Sequence, residues 1–194
     1  MTNLIRSFIA IPIATHIHKN LADFIRMVGL NARESGFRPV KPENIHITLK
    51  FLADIDQNQI QKTSKLLDQL TVNFSPFTAS VQGIGAFPSW NMHPRVIWIA
   101  MEPAEELRRV HKSIDEGLVN LGFPSDKKPF SPHLTLARVS FVKPETVRIF
   151  DRLQHLSPEP FFGEFTIDRL VLYKSVLLPQ GPVYSILSSH PFSG

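Results

Sequence analysis

The sequence predicts an α+β fold of two pseudo-symmetric lobes, each an antiparallel sheet with flanking helices, and a functional cleft between them. Three observations lead there. Segments with strand and helix periodicity alternate along the chain, and no low-complexity linker separates them. Their order returns in the second half: Ile9 lies 37 residues before His46 and Ile97 lies 36 before His133, while Phe77-Thr78 and Phe165-Thr166 follow those histidines by 31 and 32 residues. Each half also carries the pattern His-x-Thr-Leu at the same place in that order.

The elements follow from periodicity. Ser7 to Ile13 reads as a strand. Thr15 to Ser35 reads as an amphipathic helix, with Ile17, Leu21, Phe24, Ile25 and Val28 on one stripe. Gly36, Pro39 and Pro42 mark a loop before a strand at Ile45 to Leu52. A helix spans Gln57 to Leu70, and a glycine-weakened strand spans Phe77 to Phe87. After a loop from Pro88 to Arg95 come a strand at Val96 to Met101 and a helix from Pro103 to Leu121, with proline at its start and Gly122 at its end. His133 to Val139 is a strand, Pro144 to Leu156 a helix, Phe165 to Tyr173 a strand and Val183 to Leu187 the last strand.

At 194 residues the chain suits one domain of two lobes that fold together as a unit. It has no cysteine, which excludes disulfides, thiolate metal sites and cysteine nucleophiles and accords with a cytoplasmic protein. The apolar N-terminal run is too short to span a membrane and reads as a first strand, so no membrane association is expected. A net charge of +4 leans mildly toward anionic partners, and the basic residues are spread without a block of five. Nothing in the sequence calls for an oligomer, so a monomer is expected.

In His46-Ile47-Thr48-Leu49 and His133-Leu134-Thr135-Leu136, residues two apart share a face of a strand. Each pair of apolar residues anchors its strand in a lobe, and His and Thr face the same space. A single His-x-Thr on a strand is most often a plain polar face. Two of them, with the same fourth residue and at equivalent places in a repeat, point to chemistry. Opening a cyclic phosphodiester takes a base for the attacking water and an acid for the leaving ribose oxygen. An imidazole pKa of about 6.5 suits either role near pH 7. Thr hydroxyls can hydrogen-bond the phosphate oxygens. No metal or cofactor is expected.

The chain resembles the RNA 2′,3′-cyclic phosphodiesterases of the two-histidine phosphoesterase superfamily, historically described as 2′–5′ RNA ligases. The resemblance spans nearly the whole chain. It rests on Arg6-Ser7-Phe8-Ile9-Ala10, Asn44 to Leu52, Arg95-Val96-Ile97-Trp98, Phe130 to Arg138, Leu170 to Ser175 and Gly181-Pro182-Val183-Tyr184. It implies a bilobal fold and hydrolysis of an RNA or nucleotide 2′,3′-cyclic phosphate end to a 2′-phosphate. It implies His46 as proton donor and His133 as proton acceptor, with Thr48 and Thr135 holding the phosphate. Arg138 matches a phosphate-contacting arginine and Phe51 a base-stacking aromatic. Both lie five residues past a histidine, which in a regular strand is the opposite face; a bulge or twist must bring them round.

Other patterns carry less. His16 and His18 fall two apart on a helix, on different faces, and do not make a metal pair. The loop Trp90-Asn91-Met92-His93-Pro94-Arg95 has residue types that touch nucleotides and is equally a plain surface loop. Lys50 shares the His46 face by alternation and is a candidate to help hold phosphates, although a solvated lysine is the default. His111, His155 and His190 have no partner pattern. Ligation is the competing enzymatic reading. Water at about 55 M favours hydrolysis unless a second RNA end is held tightly, and no long basic surface offers that. A non-catalytic nucleotide- or RNA-binding module is the third reading.

Overall fold

The computed structural model describes residues 4–32, 34–156 and 160–194. The elements are β1 (Ile5–Pro12), α1 (Thr15–Met27), β2 (Phe37–Pro39), a 3₁₀ turn at Pro42–Asn44, β3 (His46–Ile55), α2 (Gln57–Thr71), β4 (Phe77–Phe87), β5 (Val96–Glu102), α3 (Ala104–Val119), β6 (His133–Val139), α4 (Pro144–Leu156), β7 (Phe161–Ile167), β8 (Arg169–Leu178) and β9 (Gly181–Pro191). They form two antiparallel sheets, ordered β3-β1-β8-β9 and β2-β6-β5-β4-β7.

Strand for strand, β3-β1-β8 corresponds to β6-β5-β4, so the two lobes are pseudo-symmetric. The lobes are nevertheless not the sequence halves. Strand β4 leaves its own half to form a hairpin with β5, and β8 crosses back to pair with β1. Helices exchange too. On α1, Asn20 Nδ2 donates to the Phe162 carbonyl at 2.7 Å and Phe24 meets Phe162 edge-on, which seats this first-half helix on β7. Helix α4 lies against β4, and α2 against β8 and β9. One buried apolar cluster, from Ile9 to Phe192, runs through both lobes.

Several boundaries differ from the periodicity reading. The first helix ends eight residues early. Gly29 takes φ +81°, Leu30 N–H donates to the Ile25 carbonyl and Gly29 N–H to that of Arg26, a Schellman stop. The loop expected at 36–44 contains β2, which pairs with β6. The strand expected from Phe165 to Tyr173 is two strands in different sheets. Phe165 and Ile167 are buried, then the phase slips at Asp168-Arg169 and Leu170 and Leu172 are buried instead. Phe165-Thr166 is therefore not the counterpart of Phe77-Thr78; Thr166 pairs directly with Thr78 on the neighbouring strand. Strand β9 extends well beyond Val183–Leu187 because β8 pairs with it over its whole length.

Gly85 shows how tightly β4 and β5 are built against each other. It pairs with Trp98, and a Cβ there would sit 2.1 Å from the indole ring. Gly85→Ala is expected to displace Trp98 and cost about 1–3 kcal/mol, the usual penalty of overpacking. Urea unfolding with an unchanged m-value measures it, and a shift in Trp fluorescence reports the moved ring.

Candidate active site

Both histidine strands contain an extra residue at the same motif position, and β3 has a second one at Leu52, beyond Phe51. Along β3, Ala10 pairs with Thr48 but Ile9 pairs with Lys50, so Leu49 is bulged. Along β6, Trp98 pairs with Thr135 but Ile97 pairs with Ala137, so Leu136 is bulged. The bulged leucines are buried and fix their strands in the core. Each bulge reverses the alternation beyond it. On β3, His46, Thr48 and Phe51 lie opposite Pro12, Ala10 and Phe8, which share one face of β1. On β6, His133, Thr135 and Arg138 lie opposite Ala100, Trp98 and Val96 of β5 in the same way. The bulges thus bring round the two residues whose offset of five contradicted a regular strand.

The same bulge turns Lys50 away from the histidines. The expectation that it shares their face, solvated or holding phosphate, is overturned. Lys50 is 4% exposed, and its Nζ lies 2.5 Å from Asp115 on α3, 2.7 Å from Asp126 and 2.9 Å from the Pro124 carbonyl. Burial opposes its charge, yet the two carboxylates outweigh that and hold its pKa above the ordinary value. Lys50 ties β3 to the loop that runs from Gly122 to His133 and walls the cleft. His111, without a partner pattern in the sequence, braces that loop by its bond to Asp126 and by stacking on Phe130 at 4.3 Å.

Thr48, Phe51, His133, Thr135 and Arg138 line one cleft of about 910 Å³. Strands β3 and β6 approach each other across it. His46 lines the adjoining pocket of about 430 Å³, with Tyr173 and Tyr184. Phe51 is 66% exposed, so it is a surface available for stacking and not core. Arg95, Lys127 and Lys128 also line the cleft. Trp90 does not: it packs edge-on against Phe150 of α4, so of the loop's candidates only Arg95 reaches the cleft. His16 and His18 bond different elements, the Glu164 and Pro42 carbonyls.

The two imidazoles are held alike. His46 Nδ1 donates to the Asn44 carbonyl and His133 Nδ1 to the Ser131 carbonyl, each at 2.7 Å and each two residues back. A carbonyl only accepts, so the proton sits on Nδ1 and Nε2 is left free. Aromatic rings back both. Phe8 stacks on His46 at 4.9 Å, and Tyr184 and Tyr173 lie at 5.3 and 6.3 Å. Phe87 and Trp98 meet His133 edge-on at 5.1 and 6.2 Å. Burial lowers the pKa of His46 from 6.5 to about 4, against the bond to Asn44. Burial also lowers that of His133, aided by Arg138. The aromatic backing was missed in the sequence, where its one signal was that both tyrosines fall in the terminal segments that carry the resemblance.

The two sheets thus each carry a His-x-Thr strand with the same bulge, Thr48, His133 and Thr135 lining one cleft and His46 the pocket beside it. The chain belongs to the LigT-like phosphoesterase family, whose profile ("LigT like Phosphoesterase") matches it twice in tandem, over residues 11–98 and 99–184. It is similar to the RNA 2′,3′-cyclic phosphodiesterase of Archaeoglobus fulgidus, 36% identical over 182 residues that cover 94% of this chain and 97% of that one. The Methanocaldococcus jannaschii protein of the same name is also 36% identical, covering 94% and 98%. A crystal structure of a Thermus thermophilus protein superposes with a TM-score of 0.80 at 29% identity, over 98% of this chain and 99% of that one. Escherichia coli LigT crystallised with 3′-AMP shares the fold, with a TM-score of 0.73 at 21% identity over 98% and 99%.

Lys50→Met is expected to cost about 3 kcal/mol, since it leaves the carboxylate of Asp115 without its counter-charge in a largely buried site, held only by Ser125 and the Asp126 N–H. Denaturant unfolding measures the loss. Hydrogen exchange in residues 123–131 is expected to rise more than in β4 or β5, because the variant releases that loop.

Proposed function

We propose that the whole chain acts as one two-lobed domain that hydrolyses 2′,3′-cyclic phosphate ends of RNA to 2′-phosphate ends. The observation that carries the reading is the matched pair of imidazoles. Each has Nδ1 tied to a carbonyl and a free Nε2, and each stands beside a threonine of the same strand face. The relatives' name, RNA 2′,3′-cyclic phosphodiesterase, supports hydrolysis over 2′–5′ ligation and over a non-catalytic binding module. Both histidine strands come from one chain, so a monomer suffices.

In this reading His133 Nε2 takes a proton from water as the water oxygen bonds to phosphorus. The bond from phosphorus to O3′ breaks, and His46 Nε2 delivers a proton to O3′. Thr48 and Thr135 donate to the non-bridging oxygens, Arg138 offsets their charge, and Phe51 stacks on the terminal base. Arg138 disfavours an imidazolium at His133, which suits a base. His46 sits in an aromatic cage that disfavours charge until the substrate's phosphate arrives. Once protonated there, it is a strong acid.

Incubation with EDTA and an RNA ending in a 2′,3′-cyclic phosphate tests the reading. A 2′-phosphate product is expected, with loss of about 10²–10⁴-fold in His46→Ala and again in His133→Ala. Equal turnover by either variant contradicts the roles. The pH profile is a second test. The active free enzyme holds one proton across two imidazoles, both with pKa below 6.5, one near 4. The profile of kcat/KM is therefore expected to peak below pH 6.5 and to fall about tenfold per unit well above it, whereas kcat peaks at higher pH because bound phosphate favours the imidazolium. A kcat/KM that is flat from about pH 5 to 8 contradicts this.

A further inference from the structure

A second cavity, of about 620 Å³, lies between β2 and the β8–β9 hairpin. Three of its lining residues are cations, Arg38, Lys41 and Arg138, and none is a carboxylate. Arg38 and Arg138 are direct cross-strand partners in the β2–β6 register, both exposed. Like charges directly opposite each other destabilise a sheet. Among the described residues, none of the three cations is paired with a carboxylate. An anion between them would turn that repulsion into attraction.

The cavity is continuous with the site. Arg138 also lines the cleft that holds His133 and Thr135, and Lys41, Asn44 and Tyr184 also line the pocket that holds His46. Its rim is fixed where the turn before β3 meets the β8–β9 hairpin, because Asn44 Nδ2 donates to the Pro182 carbonyl at 2.9 Å. At the hairpin, Gly181 has open space where a Cβ would stand, so backbone borders the cavity without a side chain filling it.

We propose that this cavity is a second phosphate subsite, in which Arg38 and Lys41, beside Arg138, hold the phosphodiester that joins the terminal nucleotide to the rest of the RNA. The inference rests on the hydrolase reading and extends it: the substrate class is an oligonucleotide, and a lone cyclic nucleotide leaves half of the recognition unused. Arg38 and Lys41 do no chemistry here. They position the chain by its backbone and read no base.

The test compares three substrates: adenosine 2′,3′-cyclic phosphate, the same nucleotide with a 5′-phosphate, and a dinucleotide ending in the cyclic phosphate. The wild type is expected to prefer the dinucleotide over the plain mononucleotide in kcat/KM by about tenfold or more, as a charge-assisted phosphate contact allows. Arg38→Ala/Lys41→Ala is expected to abolish the preference, leave mononucleotide turnover within about twofold, and flatten the salt dependence for the dinucleotide. If the 5′-phosphorylated mononucleotide behaves like the dinucleotide, the subsite takes any phosphate at that position; if it behaves like the plain one, the subsite takes the chain phosphodiester. A preference that survives in the double variant, or an equal loss on all three substrates, overturns the proposal. Absence of mononucleotide and dinucleotide turnover by the wild type would instead sink the hydrolase reading.

Discussion

A leucine bulged at the same motif position in each histidine strand sets the geometry of this site. Leu49 and Leu136 are core residues whose insertion shifts the register by one, and the shift decides which side chains share a face. Without it, the residue two past the threonine would point toward the cleft and the one three past it would point away. With it, a histidine, a threonine and a residue five past the histidine line up on each side. Lys50, turned off the histidine's face by the same step, becomes the buried tie that holds the cleft wall to β3. Core packing and site geometry are thus one constraint, because moving either leucine reorients the side chains that follow it.

The electrostatics follow from where the bulged strands lie. Each imidazole is backed by rings on the sheet face and bonded through Nδ1 to a carbonyl two residues earlier. The bond fixes the tautomer, and the rings make charge costly. The free site therefore holds neutral histidines near pH 7. An arriving phosphate supplies the charge that favours an imidazolium. In the proposed reaction the proton is held where the negative charge is, and both Nε2 atoms are aimed by backbone bonds at Nδ1 rather than by long side chains, which keeps orientation precise at little entropic cost.

Much of this was legible in the sequence because the motif sits on strands with clear alternation. His46-x-Thr48 and His133-x-Thr135 share a face at either end of a two-residue step, and the structure keeps that. Phe51 and Arg138 were legible only through family resemblance, since an offset of five and a period of two disagree and nothing local announces a bulge at a leucine. Lys50 went the other way for the same reason. The lobe boundaries were hidden because a repeat in sequence does not say which half a strand pairs with: β4 and β8 change places through hairpin and cross-lobe pairing. The split at Asp168 and the helix stop at Gly29 were missed, although a change of phase in the apolar pattern and the glycine itself carried the signal. The aromatic cage was not visible, as Phe8, Tyr173 and Tyr184 come from three distant strands.

The most direct test of the paired-imidazole mechanism is a long-range ¹H–¹⁵N spectrum of the two rings across pH, with and without a nucleoside 2′-monophosphate. The mechanism predicts Nδ1–H tautomers for both His46 and His133, pKa values below 6.5 in the free protein, and an upward shift of at least one of them when the phosphate binds. An Nε2–H tautomer at either histidine, or titration that ignores the bound phosphate, would contradict it.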